Sequence, residues 1–334
     1  MRCFTSLLKN ILTLMFCCIA SALIANADAQ QTRLNILEKG PQKQSQKPLL
    51  ILLSGPTDNW HSDSAWWILA QNYLAGYYDT VAIDRAGHAG TPFVENPSYQ
   101  QFTQDLVKYI DSSERDIIIL AFASSNLSVQ PLLHQSKASK KIKGVVLIDP
   151  DVLTTHSIKH YSSDTEKYKK GWQQLEDYIA SGKYDERIQQ KISSERKHLK
   201  ELIKPELEAF MDWSAYEAIE TIRSTREYQI YKFKETTNYL SDLQNAKQYS
   251  FAKDMPLVVI DTDFESGYLA TIKDEQVKAS ISQWRQEGIE WYFELAEHSD
   301  CGAYWPVASQ EHLIMMENPE LIKRSVERII SCHQ

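Results

Sequence analysis

Four short runs along the chain are apolar almost without interruption: Leu49-Leu50-Ile51-Leu52-Leu53, Thr80-Val81-Ala82-Ile83, Ile117-Ile118-Ile119-Leu120 and Val145-Val146-Leu147-Ile148. A half-buried strand would alternate apolar and polar positions. A continuous run predicts a strand covered on both faces, as in a parallel sheet flanked by helices. The intervening segments have helical spacing instead. Ser62 to Tyr77 brings Trp66, Leu69, Ala70, Tyr73 and Leu74 onto one stripe. Tyr99 to Ile110 does the same with Phe102, Leu106, Tyr109 and Ile110, and Leu127 to His134 reads as a short helix. Arg33 to Glu38 reads as a short strand ahead of a polar turn through Gly40 and Pro41. Alternating strand and helix predict the α/β class, with a doubly wound, mostly parallel sheet.

The pattern changes near His156. Up to Ser250 no strand pattern recurs, and apolar residues fall at helical spacing: Trp172, Leu175, Tyr178 and Ile179, then Leu202, Leu207, Phe210, Met211 and Trp213. This stretch reads as a helical insertion of domain size. The sheet resumes at Leu257-Val258-Val259-Ile260, a long helix covers Asp274 to Glu297, and Ala303 to Ala308 reads as the last strand. Leu321, Ile322, Val326, Ile329 and Ile330 mark a closing amphipathic helix. The expected division is a leader over 1–29, a first part of the α/β core over 30–155, a helical lid over 156–252, and the rest of the core over 253–334.

The leader has its own pattern. Arg2 and Lys9 precede the apolar run from Ile11 to Ala20, and Ala25-Asn26-Ala27-Asp28-Ala29 follows. This is the arrangement of a cleaved secretory signal, with cleavage after Ala27 or Ala29 and a periplasmic or secreted mature protein without a stable membrane anchor. Phe16 stands where a lipid-modified Cys17 would need a small residue. Of five cysteines, three leave with the leader. The remaining pair, Cys301 and Cys332, is expected to form a disulfide in an oxidising compartment. The net charge is -8, and Lys and Arg are interspersed with acids. That leaves no basic footprint for nucleic acid. No His-x-x-x-His, Cys-x-x-Cys or Gly-x-Gly-x-x-Gly pattern occurs, so neither a metal nor a nucleotide cofactor is expected.

Four segments carry a resemblance. Leu52-Leu53-Ser54-Gly55-Pro56 looks like a strand feeding an oxyanion loop. Ile83-Asp84-Arg85-Ala86-Gly87-His88-Ala89-Gly90 looks like an Asp-Arg-x-Gly-x-Gly turn. Val146-Leu147-Ile148-Asp149-Pro150 looks like the strand after a nucleophile helix. His312 to Leu321 looks like a catalytic histidine turn leading into a final helix. In this order they resemble the α/β-hydrolase superfamily over most of the mature length. The resemblance implies a small-molecule substrate or ligand, an ester or amide hydrolase, and a nucleophile, an acid and His312 in that chain order.

The family's tight strand-to-helix turn needs small residues two positions either side of the nucleophile. In Leu120-Ala121-Phe122-Ala123-Ser124-Ser125-Asn126-Leu127, centring the turn on Ala123 places Ala121 and Ser125 there. Centring it on Ser124 places Phe122 and Asn126 there, yet Ser124 is the best available hydroxyl. The loop after the first core strand offers Pro56, which lacks an N–H, where an oxyanion donor usually sits, leaving Thr57 to substitute. His312 is the expected general base. Asp263 or Glu265, just after Ile260, is the acid expected from loop length. Asp261 shares that loop, and Asp149 and Asp151 mark the alternative position after the earlier strand. His298 reads as a helix C-terminal residue and His88 as part of the turn. Two functions follow from the resemblance: a serine hydrolase using Ser124, or an inactive homologue acting as a binding or scaffold module. The occupant of the turn's apex, Ala123 or Ser124, divides them.

Overall fold

The apolar runs form strands that meet side chains on both faces. The computed structural model describes residues 34–41, 47–56, 61–135, 137–163 and 165–334. The expected signal segment and Thr57 lie outside these. The strands are β1 (Asn35–Lys39), β2 (Leu49–Leu53), β3 (Thr80–Asp84), β4 (Ile117–Phe122), β5 (Ile142–Ile148), β6 (Leu257–Thr262) and β7 (Gly302–Val307). They form one sheet in the order β1-β3-β2-β4-β5-β6-β7. β1 is antiparallel to β3 and the other pairings are parallel.

The helices that matter here are α1 (Ile68–Leu74), α2 (Tyr99–Ser112), α3 (Asn126–Leu132), α4 (Asp185–Leu202), α5 (Trp213–Arg223), α6 (Arg226–Thr236), α7 (Tyr239–Ala246), α8 (Glu275–His298) and α9 (Pro319–Ser331). Successive strand residues point to opposite faces. Leu50 and Leu52, Ile118 and Leu120, and Val258 and Ile260 join one core with residues of α1 and α9. Leu49 and Ile51, Ile117 and Ile119, and Leu257 and Val259 join a second core with α2 and Tyr292 of α8. Hence no polar position interrupts the runs: neither face is wet.

α4 to α7 belong to the inserted helical segment, between β5 and β6. Part of it has its own small core of Ile179, Tyr184, Ile188, Ile192 and Phe233. It is tied to the rest of the α/β core by buried polar contacts. Arg223 on α5 donates to Asp63 at 2.8 and 3.2 Å. Asp242 on α7 accepts from the Tyr99 and Gln100 N–H groups at 3.0 and 3.2 Å, capping α2 from outside. Cys301, just before β7, and Cys332, just after α9, form a disulfide. No helix among the described residues is long and apolar enough to cross a membrane.

Candidate active site

β4 runs into a sharp turn. Phe122 is extended, Ala123 has φ +45°, and Ala123–Ser125 forms a single 3-10 turn that leads into α3. A positive φ at a residue with a Cβ marks a constrained position. Ala123 is therefore the apex of the strand-to-helix turn, and it is buried. The end of β2 lies against it. A Cβ on Gly55 would come within 2.3 Å of the Phe122 carbonyl oxygen and 2.8 Å of the Ala123 Cβ, so only glycine fits there.

Ser124 points elsewhere. Its hydroxyl lies 2.7 Å from Tyr239 Oη on α7. Tyr239 donates its one proton to the Asp151 carboxylate, so Ser124 is the donor to Tyr239. The structure does not bring Ser124 to His312. The reason is the register: one residue past the apex, the side chain has turned with the helix.

His312 has a different partner. Its Nδ1 lies 2.9 Å from Asp149 Oδ2. Asp149 follows β5 with φ +45° and also accepts from Thr262 N at 2.7 Å and Thr262 Oγ1 at 2.6 Å. An ionised carboxylate only accepts, so Nδ1 carries a proton in this contact and Nε2 is the ring nitrogen left for a substrate or water.

No family model matches the chain, and no curated protein matches its sequence. Solved structures do match its backbone. The Cif epoxide hydrolase from Acinetobacter nosocomialis is similar with TM-score 0.54 and 16% identity, covering 89% of this chain and 85% of that one. An alpha/beta hydrolase fold protein from Burkholderia ambifaria gives TM-score 0.53 and 12% identity, over 88% and 93%. A thermophilic esterase from Thermogutta terrifontis gives TM-score 0.50 and 12% identity, over 90% and 94%.

The chain has the α/β-hydrolase fold.

Within that fold the carboxylate on His312 comes from the strand-end position after β5, and not from the loop after β6 expected from its length. Asp263 and Glu265 do not reach His312. β6 continues to Thr262, and a helix over Phe264–Leu269 starts at once. The side chain this helix lays against His312 is Phe264, with ring centroids 4.2 Å apart. Asp263 accepts from Ser266 Oγ at 2.7 Å and pairs with Arg285 Nε at 3.3 Å. Asp261 is held by Arg285 at 2.6 and 3.2 Å and by Tyr304.

Glu265 is buried, its Oε2 has no hydrogen-bond donor, and Arg285 Nη1 is 3.8 Å away. Burial first, then the Asp149 charge, pushes its pKa up to about 8. Three carboxylates thus crowd one guanidinium beside the dyad, and Glu265 keeps its proton at neutral pH.

His312 is packed between Phe264 and Phe122, whose ring lies 4.6 Å away. A second imidazole, His61, has its centroid 6.2 Å from that of His312 and packs edgewise on Trp66 at 4.5 Å. Burial, then His312, lowers the His61 pKa well below the ordinary value, so it is neutral. Sequence reasoning passed over His61 and Phe264. Neither sits in a motif, and their only signal is a place in the loops after β2 and β6. Gly55 N donates to the His61 carbonyl at 3.1 Å, so that amide is already engaged. His88 contacts Glu235 and Ser62, and His298 ends α8. Among the described residues no group of three or more His, Cys, Asp or Glu side chains is arranged to hold a metal.

Proposed function

We propose that this hydrolase-fold protein uses His312 and Asp149 as a general base toward a small ester or amide, with water as the attacking group and no covalent enzyme intermediate. The observation that carries it is the His312–Asp149 bond of 2.9 Å beside an apex occupied by Ala123. His312 Nε2 takes a proton from water as its oxygen adds to the carbonyl carbon. Asp149 stabilises the imidazolium, which returns the proton to the leaving group. Phe122 and Phe264 pack on the His312 ring, an apolar setting that favours a small, uncharged substrate over a charged one.

The Cys301–Cys332 disulfide supports work in an oxidising compartment, with residues 1–29 as the export signal. N-terminal sequencing of the exported protein tests this, and a mature chain beginning at Met1 would end it.

A second reading, a binding module without turnover, is favoured by the burial of Ala123. A serine-directed fluorophosphonate probe with intact-mass readout tests the central reading. Unlabelled protein that still hydrolyses activated esters supports the general-base site. Unlabelled protein without turnover, in the wild type and in His312→Ala alike, supports the binding module. Label on Ser124 contradicts both.

A further inference from the structure

The loop after β2 is shaped by a charge that belongs to the inserted helical segment. Arg85, in the turn after β3, is buried beneath this loop. Its Nη1 lies 3.1 Å from the Ser62 carbonyl oxygen and 3.4 Å from that of Ser54, and its Nη2 lies 3.4 Å from that of Gly55. Tyr99 Oη also donates to Gly55 O at 2.9 Å. Carbonyl oxygens on both flanks of the loop are therefore claimed by buried donors.

The guanidinium is itself held by Glu235 on α6, with Nε to Oε1 at 2.6 Å and Nη2 to Oε2 at 2.9 Å. This is the two-point geometry in which a guanidinium binds a carboxylate most strongly. His88 lies 3.2 Å from Glu235 Oε2 through Nε2 and 3.1 Å from Ser62 Oγ through Nδ1. Ser62 Oγ continues to Tyr228 Oη, also on α6, at 3.2 Å. Both members of the ion pair are almost wholly inaccessible, at 3% and 2% exposure. A charge this deeply buried cannot be left without its counter-ion. Although burial alone would raise it, Arg85 and His88 hold Glu235 well below the usual carboxylate range. The pair is therefore ionised throughout the neutral range.

We propose that Glu235 is a positioning residue for the two described flanks of the loop after β2, Ser54–Gly55 and Ser62. Through Arg85 it fixes Ser54 and Gly55 on one flank and Ser62 on the other, with their carbonyl oxygens turned onto buried donors. These flanks and α6 then form one cooperative unit. If this segment moves, the backbone at Gly55 and Ser62 moves with it.

The consequence for catalysis rests on the proposed role of His312. The coupling itself does not, and it is testable without a substrate. In native-state hydrogen exchange of the wild-type protein in low denaturant, the Gly55 amide and the α6 amides should open in one step, with merging isotherms. Separate opening, with the loop open while α6 stays protected, would overturn the proposal. In Glu235→Gln, exchange at Gly55 should rise by about tenfold or more while β4 and β5 amides keep their wild-type protection. In the double variant Arg85→Met/Glu235→Leu, which removes both charges, the melting temperature should recover while Gly55 exchange stays fast. A role in stability alone would restore both together, and that result would also overturn the proposal.

Discussion

Ser124 Oγ lies 2.7 Å from Tyr239 Oη, so the hydroxyl nearest the strand-to-helix apex is spent on a residue of the inserted helical segment. Tyr239 passes the contact on to Asp151. A hydroxyl that donates to a phenol has no base to take its proton, and an unactivated serine is a poor nucleophile at neutral pH. The apex belongs to Ala123, beside the end of β2 and one short turn before α3.

Restoring a hydroxyl at the apex should change the chemistry. In Ala123→Ser the side chain starts from the constrained positive-φ position at the apex. Fluorophosphonate should then label residue 123, and ester hydrolysis should rise by about tenfold or more as a covalent route opens. Pro56 limits the gain, because it supplies no N–H to the oxyanion. Peptide mapping of the labelled protein checks the site, and label at Ser124 in the variant would count against this geometry.

Much of the fold was legible because the strands are buried on both faces. Leu49 to Leu53 and Ile117 to Leu120 could be read as strands from their unbroken apolar runs, and each now contributes alternately to the two cores. His312 was legible from its place before the closing helix. The acid was not. Whether Asp149 or a residue after β6 reaches the imidazole depends on how abruptly the chain turns at Thr262, and the immediate helix puts Phe264, not a carboxylate, against the ring. The ties between the inserted segment and the core were equally hidden. Arg85 and Glu235 are 150 positions apart, and Asp63 and Arg223 are 160 apart, so no local pattern joins them.

Glu265 makes stability depend on pH. Its folded pKa of about 8 lies above the ordinary carboxylate value of about 4.3. The folded state therefore holds a proton that the unfolded chain has lost, and this group's contribution to stability falls as pH rises between those two values. The limiting slope is about 1.4 kcal/mol per pH unit. Glu265→Gln removes the group from titration. Urea unfolding at pH 5 and pH 8 should show the variant gaining on the wild type at the higher pH. Parallel losses in both proteins would show that Glu265 is not the source. Asp84 and Asp242, each raised to about 7 chiefly by burial, act in the same direction and cancel in that difference.

The disulfide closes a span of 31 residues between the entry to β7 and the end of α9. Closing a loop of that length restricts the unfolded chain by about 3–4 kcal/mol in the chain-entropy picture. Cys301→Ser/Cys332→Ser should lose roughly that much in chemical denaturation while keeping the His312 site, which lies at the other end of the sheet's last strand. Unchanged stability on reduction would contradict this.

The central claim is that His312 acts with Asp149 and without a serine, and it is tested most directly by the hydrolysis rates of one activated ester, p-nitrophenyl acetate, in three proteins. Ser124→Ala should retain the wild-type kcat/KM within about twofold, because that hydroxyl bonds Tyr239 and not the base. His312→Ala should fall by about a hundredfold or more, the scale of a lost general base. If Ser124→Ala instead loses activity as fully as His312→Ala, Ser124 is the nucleophile and the general-base account is wrong.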